Sequence, residues 1–342
     1  MSAVAEEEHA EANAEVSEPS GSASSSAGGF VDRLRSLEAR FNRLTTSPTA
    51  RPWLMLSAVA LFVVVSAISF ASLPGGLHVH WVVLPILVLV LAPLTALANA
   101  AEFRVMGAIN NHRIGWLPAT RLAILASAAN LLPMPGGVMI RAQALRQRGS
   151  TYRHAFAVNA AAMGAWIGVA SIVISVLMAA TSSRWLAVVI LLLFGLGCLL
   201  CVGVLLRQVN RSAHLKYLAQ FIVVEGLTVA IGGARIFLAF KLIGLSASAV
   251  QAVALTAAQI IASAIGIFPG GLGLRELLAG VIATAVHLPA AEAVSAAAVD
   301  RVTVQLSIAL FALALLPTWR RRRAQPASIS EPEQSEQPLR LR

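Results

Sequence analysis

Apolar stretches long enough to cross a lipid bilayer recur along this chain and restrict what it can fold into. The stretch 185–206 contains no charged residue. Spans near the ~20 residues that a transmembrane helix needs are predicted at 53–73, 81–101, 155–180, 185–206, 217–240 and 291–317. Because 57% of the residues are hydrophobic and only 12% are charged, we expect an all-α polytopic helical membrane protein rather than a soluble globular one.

Positive charge is distributed unevenly among the segments that join these spans. Arg and Lys concentrate before the first span, at 102–153, at 207–216 and at 320–323, whereas the intervening loops contain only Arg184 and Lys241. The positive-inside rule therefore predicts a multi-pass protein of a bacterial plasma (inner) membrane with both termini in the cytoplasm. Juxtamembrane anchoring accounts for the net charge of +10, and nucleic acid is not an expected partner.

The two ends of the chain differ in composition from its apolar middle. Residues 1–29 are acidic and rich in Ser, Ala and Gly, which predicts a disordered tail that is too polar to be a signal peptide. Residues 30–50 contain apolar residues at helical spacing with arginines between them, which is typical of a basic amphipathic juxtamembrane helix. The polytopic membrane domain is predicted over 51–319, and a basic, disordered cytoplasmic tail over 320–342.

Two apolar regions, 117–140 and 247–288, are interrupted by Pro and Gly at 133–137 and 269–273. Each contains the pattern Pro-Gly-Gly-x-x-x-Arg, preceded by Ala-Ser-Ala. Because both flanks of the first region are basic, that region must enter and leave on one side, which predicts a re-entrant hairpin. The second region is either another hairpin or a pair of helices that cross and return.

The two broken elements are separated by three predicted spans, so the second must enter from the opposite face of the membrane. This is typical of an inverted-topology repeat, in which discontinuous helices meet near the midplane and form a binding site. Arg141 and Arg275 fall in the first turns of helices predicted at 138–148 and 272–287, where the helix dipole disfavours positive charge. Either an anionic ligand such as phosphate or carboxylate compensates them, or each caps carbonyls or pairs with a buried acid.

Acidic residues within the apolar sequence are few, and each is costly to bury alone. Glu225 and Asp300 are the predicted counter-charges for Arg235, Arg141, Arg275 or Arg301, with the pairing left open. Asn130 and Gln259 either line a cavity or form helix–helix hydrogen bonds. The predicted substrate-binding set is Arg141, Arg275, Glu276, Asn130, Gly136, Gly137, Gly270, Gly271, Glu225 and Asp300.

Signals for catalysis or metal binding are weak. The only aspartates are Asp32 and Asp300, so an Asp-rich metal motif cannot form. Cys198 and Cys201 supply only two ligands inside a Leu-rich run, where sulfur packs as an apolar group. His287 and Glu292 superficially resemble an acid–base pair. Because they flank Pro289 in a predicted loop, we interpret them as a solvated surface pair. No enzyme activity, catalytic residue, metal or cofactor is predicted.

The residues Asn130-Leu-Leu-Pro133 with Gly137 and Arg141, and the segment 269–276, resemble the transmembrane domain of lysylphosphatidylglycerol synthase and its stand-alone UPF0104-type relatives. The resemblance covers roughly residues 50–320. It implies a lipid flippase that has two facing re-entrant elements and moves aminoacylated or related phospholipids between leaflets. Pro135 and Val138 stand where the family has Arg and Glu, which implies a different headgroup or lost transport. Because only a short tail follows residue 320, aminoacyl transfer is not expected.

The leading hypothesis is therefore a membrane protein that binds and translocates an anionic or modified phospholipid or another lipid-linked substrate. The alternatives are a non-catalytic partner of a separate lipid-modifying enzyme and a lipid-linked glycosyl- or acyltransferase. A small-solute transporter would share the repeat architecture. Small residues such as Gly195 and Gly232 permit close helix packing, either within the chain or in a homodimer.

Overall fold

Long apolar α-helices make up most of the structure. The computed structural model describes residues 60, 63–72, 79–130, 136–181, 184–265 and 271–323, and these ranges contain no β-strand. Within them, five helices are long and apolar enough to cross a bilayer: α1 (Val83–Ile109), α4 (Tyr152–Thr181), α5 (Trp185–Val209), α6 (His214–Leu242) and α9 (Ala290–Arg323). The chain is thus a polytopic helical membrane protein, as the apolar stretches predict.

Four shorter helices lie between the long ones: α2 (Trp116–Ala129), α3 (Gly136–Arg146), α7 (Ala249–Ile265) and α8 (Leu274–Ala285). At a rise of 1.5 Å per residue they extend about 16 to 26 Å, which is less than the ~30 Å of a bilayer's hydrocarbon core. Each pair therefore reaches only part of the way through a membrane.

Helices α7 and α8 form the second hairpin. At its base, the Gln251 Nε2 donates a hydrogen bond to the Val286 carbonyl, with an N···O distance of 3.0 Å. Near its tip, a Cβ added to Gly271 would lie 3.0 Å from the Ala262 Cβ. The two helices are therefore antiparallel, and the region predicted as either a hairpin or two crossing helices is a hairpin of short helices.

Helices α2 and α3 form the first hairpin in the same way. The residues that flank it are neighbours, because a Cβ added to Gly149 would lie 3.8 Å from the His112 Nε2. At the other end, the Gly137 N–H donates to the Asn130 Oδ1 at 2.9 Å. The chain thus enters and leaves this hairpin on one face, which confirms the predicted re-entrant element.

The antiparallel contact between α1 and α6 relates the two hairpins. The His80 N–H, just before α1, donates to the Leu242 carbonyl at the end of α6 at 2.8 Å. At the other end, the Tyr217 hydroxyl of α6 donates to the Ala108 carbonyl of α1 at 3.0 Å. Because each hairpin follows one of these helices, the two enter from opposite faces. The units α1–α4 and α6–α9 therefore form the predicted inverted-topology repeat, and α5 joins them.

Small residues allow the long helices to approach closely. A Cβ added to Gly195 in α5 would lie 2.8 Å from the Gly168 carbonyl oxygen in α4, and one added to Gly233 in α6 would lie 2.4 Å from Val253 Cγ2 in α7. Close approach at small residues is the usual way that helices pack within a membrane. Gly195 therefore serves a contact within the chain.

Helix α1 extends beyond its predicted end at residue 101 and continues to Ile109. The prediction was wrong here because the charged residues Glu102 and Arg104 end the apolar pattern, whereas each has a partner in the fold. Glu102 pairs with Arg141. The Arg104 Nε donates to the Ile114 carbonyl at 3.0 Å, and its guanidinium lies 4.2 Å from the centre of the Trp116 ring.

Several predicted segments fall outside the described residues. These include the acidic tail at 1–29, the amphipathic helix at 30–50 and most of the first half of the span at 53–73. At the other end, α9 continues past the predicted domain boundary at 319 to Arg323, and the rest of the tail lies outside the described ranges.

The hairpin topology predicts which face of a membrane each connecting segment reaches. In a variant without Cys198 and Cys201, we expect Arg113→Cys and Gln147→Cys to react with an impermeant maleimide from one side of sealed vesicles, because they flank the same hairpin. Ser246→Cys should react only from the other side. Labelling of the Arg113 and Gln147 positions from opposite sides would mean that the first hairpin crosses the membrane.

Candidate functional site

A polar cavity of ≈ 310 Å³ is lined by residues near the tips of both hairpins. Both repeats contribute polar side chains to it, among them Asn99, Asn130 and Asn159 from the first and Thr228, Thr256 and Gln259 from the second. Charged side chains from both repeats also line it. Because these helices are otherwise apolar, the cavity is the place within the described chain where the interior is hydrophilic.

Asp300 of α9 is fully buried and binds two arginines of the second repeat. The Arg235 Nε and Nη2 donate to its Oδ1 and Oδ2 at 2.8 and 2.7 Å, in the bidentate geometry that suits a guanidinium and a carboxylate. The Arg275 Nη2 donates to the same Oδ2. A third donor group of Arg235, Nη1, bonds to Thr95 of α1 at 3.1 Å. This cluster connects α6, α8 and α9 to α1.

A second ion pair holds the tip of the second hairpin. The Arg301 Nε donates to the Glu276 Oε1 at 2.7 Å, and its Nη2 donates to the Gly271 carbonyl at 3.0 Å. Gly271 has φ +68°, a conformation that favours glycine. Glu276 lies in the first turn of α8, where its negative charge also complements the helix dipole. Arg301 therefore fixes the backbone where α8 begins.

One end of the cavity is acidic and combines residues of both repeats. The Arg141 Nη1 of α3 binds the Glu102 Oε1 of α1 at 2.8 Å. Glu225 of α6 is only 3% exposed, and its Oε1 accepts no hydrogen bond within the described structure. Glu225 lines the same cavity as Glu102 and Arg141. Two carboxyl groups and one arginine thus line this end of the cavity.

The ionisable groups divide the lining into two ends of different composition. At the acidic end, Glu102 and Glu225 outnumber Arg141. At the other, which we call the basic end, Arg235 and Arg275 outnumber Asp300, while Arg301 and Glu276 balance each other. The cavity can therefore attract an anionic group at one place and a cationic group at another.

The tip of the first hairpin is closed by Asn130. Its Oδ1 accepts the N–H of Gly137 in the first turn of α3, which satisfies one of the N–H groups that a helix start leaves unpaired. A Cβ at Gly137 would lie 2.3 Å from that oxygen. Glycine is required here because the side chain of Asn130 occupies the space that a larger residue would need.

The predicted substrate-binding residues occupy different places in the structure. Those that line the cavity are Arg141, Arg275, Asn130, Gly137, Gly271 and Glu225. Asp300 and Glu276 are fully buried behind the arginines that they bind. Gly136 is the first residue of α3, and Gly270 lies outside the described residues. That any of them contacts substrate stays a prediction.

The fold shows which groups compensate the positive charges of the two motif arginines. Arg141 and Arg275 each pair with a buried acid, Glu102 and Asp300 respectively. The helix after the first break begins at Gly136 rather than at 138, which places Arg141 in the second turn and not the first. Arg275 does lie in the first turn of α8, which begins at Leu274.

Glu102 is a cavity residue that was not predicted from the sequence, and Arg235 was predicted only to need a counter-charge. The spacing between each of these residues and the hairpin that follows it could have identified both. Glu102 lies 14 residues before Trp116, where the first hairpin begins, and Arg235 lies 14 residues before Ala249, where the second begins. The two positions are therefore equivalent in the repeat and carry opposite charges.

Over the described ranges, no group of three or more His, Cys, Asp or Glu side chains is arranged to hold a metal ion. The ionised side chains at the cavity pair with one another across helices or face its interior. Such an arrangement can hold a polar or charged ligand group within the bilayer.

Comparison with known proteins does not assign a function to this cavity. Neither the protein-family models nor the curated proteins that were searched include a match to the chain. Function is therefore inferred from the geometry and charge of the site.

Substitution of Asp300 tests whether its two ion pairs hold the second repeat together. We expect Asp300→Asn to lower the free energy of unfolding by about 3–5 kcal/mol, because two buried arginines lose their counter-charge. Thermal unfolding in detergent measures the change. Glu292→Gln is the matched control, since it removes a carboxylate from the first turn of the same helix, away from the cavity. Equal melting temperatures for the two variants would contradict this role.

Substitution of Gly137 tests the closure of the first hairpin. We expect Gly137→Ala to displace Asn130 and to cost about 1–3 kcal/mol, since a helix-start N–H loses its acceptor in a partly buried place. Gly197→Ala is the control, because a Cβ there has open space around it. Hydrogen exchange of residues 136–140 should accelerate in the Gly137 variant alone. Unchanged exchange would show that the cap does not stabilise the hairpin.

Proposed function

We propose that this chain binds the headgroup of a phospholipid or another lipid-linked molecule in the central cavity and moves it between leaflets. The observation that carries the proposal is the convergence of two oppositely inserted hairpins on one polar, ionised cavity. Paired broken helices of this kind form the substrate site in many transporters, and alternating access arises when one repeat moves against the other.

The energetic cost of the cavity supports a role in binding. Ionisable side chains in a membrane interior are costly, and where they occur they usually mark a pathway for substrate or ions. Non-helical backbone is also tolerated there only where protein surrounds it or a cavity hydrates it. Six charged residues, namely Glu102, Arg141, Glu225, Arg235, Arg275 and Arg301, line this one cavity. Stability alone does not require so many of them at one place.

The surroundings of the cavity favour a lipid over a small solute. Asn130 and Ser263 line it at the two hairpin tips and are exposed on the protein surface. A headgroup can therefore enter at these residues while its acyl chains stay outside. The outer side of the first hairpin also has an apolar groove of ≈ 440 Å³, to which Leu122, Met139 and Phe156 contribute. Such a groove suits an acyl chain.

Charge at the two faces supports an orientation. The face where α1 ends and α6 begins has many basic residues, such as Arg113, Arg146 and Arg211, whereas Lys241 lies at the end of α6 on the other face. We place the basic face in the cytoplasm of a bacterial cell, following the positive-inside rule. A transporter of this kind agrees with the resemblance to the membrane domain of lysylphosphatidylglycerol synthase.

Translocation can be tested with purified protein in liposomes. Lipids with a fluorescent acyl chain and an unmodified headgroup report movement between leaflets when an impermeant reductant quenches the outer leaflet. We expect the wild-type chain to accelerate transfer and Ser263→Trp to reduce it to the protein-free rate, because a bulky side chain then obstructs the cavity. A wild-type rate equal to that of empty liposomes for every headgroup tested would contradict the proposal.

The matched control for this experiment is Val281→Trp. Val281 lies in the same hairpin and is 65% exposed on its outer surface, so the substitution adds the same bulk without entering the cavity. Its transfer rate should equal that of the wild type. Equal losses in both variants would mean that Ser263→Trp acts on the hairpin in general and not through the cavity.

A further inference from the structure

We infer that the acidic end of the cavity is a binding site for a singly charged cation, either an ammonium group or an alkali metal ion, with Glu225 and Glu102 as its ligands. The inference rests on the proposed function only where the ammonium belongs to a lipid headgroup. The arginines of the two Pro-Gly-Gly motifs do not indicate such a site. The resemblance of the chain to a flippase family does not indicate it either.

The first argument is the state of Glu225. Its side chain is 97% shielded from solvent yet lines the cavity, and its Oε1 has no donor among the described residues. A buried carboxylate without a donor loses the hydration that stabilises its charge and gains nothing in return. The other buried acids at or near the cavity, Glu102, Glu276 and Asp300, each bind arginine. Glu225 is therefore arranged to receive a group from the cavity.

The second argument is the local charge. Glu102 already binds Arg141 at 2.8 Å, so the ionised form of Glu225, which a cation would stabilise, gives the three groups Glu102, Glu225 and Arg141 one excess negative charge. One positive charge balances them, which favours a monovalent cation over a divalent one. A ligand between the two carboxylates would also relieve the repulsion between them.

The third argument is the distance to the basic end. Glu225 and Arg235 are ten residues apart on α6, which corresponds to about 15 Å along the helix axis. Arg235 and Arg275 are moreover engaged with Asp300. The arginines of the basic end are therefore too distant and too well paired to neutralise Glu225. Of the other helices that pack on α6, α4 and α7 contribute no charged group to the lining, and their polar groups there include Asn159 and Gln259.

The cation can come from two sources, namely the solution or the ammonium of a headgroup. Thermal unfolding of the full chain in detergent can separate them. In one arm, sodium, potassium or methylammonium replaces the bulky cation N-methyl-D-glucamine at constant ionic strength. In the other, short-chain phosphatidylethanolamine or phosphatidylglycerol is added while N-methyl-D-glucamine is the only other cation.

We expect a saturable rise in melting temperature in at least one arm, because a ligand that binds the folded state stabilises it. A rise with the small cations assigns the site to free ions. A rise with phosphatidylethanolamine but not phosphatidylglycerol, without an effect of the small cations, assigns it to a headgroup ammonium. In Glu225→Gln the apparent affinity should fall at least about tenfold, as expected when a ligand loses its charged hydrogen-bond partner.

Two further variants keep the test decisive. Glu225→Asp retains the charge on a shorter side chain and should bind more weakly than the wild type but more tightly than Glu225→Gln. Glu292→Gln removes a carboxylate outside the cavity and should leave the affinity unchanged. A wild-type chain that responds to none of the cations, or a Glu225→Gln variant that responds as the wild type does, would overturn the site. Lipid transfer in liposomes is measured separately, so failure of either proposal leaves the other intact.

Discussion

The bond between Asp300 and its two arginines is the interaction on which the second repeat depends. A lone carboxylate or guanidinium at membrane depth is costly, and each of these three groups is buried because the other two are present. Arg301 and Glu276 add a second pair to the same hairpin. Among its described residues, the first hairpin has one such pair, in which the Arg141 side chain is still 22% exposed. The second hairpin is therefore the more firmly anchored of the two.

The architecture could be predicted because it follows from local rules. Apolar length predicts the spans, Pro and Gly predict the breaks, and basic flanks indicate on which side each segment ends. The end of α1 was misplaced for a physical reason. A charged residue ends an apolar pattern, but Glu102 is stabilised by an arginine 39 positions later in the chain, and no local pattern reveals that partner.

The cavity could be predicted only in part. The Pro-Gly-Gly motifs identify the tips that meet there, and intramembrane acids identify the groups that need partners. The pairing depends instead on how helices distant in sequence pack side by side. Asp300 and Glu225 are comparable as sequence features, yet the first binds two arginines and the second has an oxygen without a donor. Only the positions of α3, α8 and α9 around α6 distinguish them.

The opposite charges at the equivalent positions Glu102 and Arg235 have a consequence for motion. Two identical halves inserted in opposite directions would give two conformations of equal free energy, related by a two-fold rotation axis in the membrane plane, because each half could take the place of the other. Here one half contributes an acid and the other a base at the same step of the repeat. In the proposed transport, an exchange of roles between the halves would therefore connect conformations of unequal free energy, and one of the two orientations would be preferred at rest.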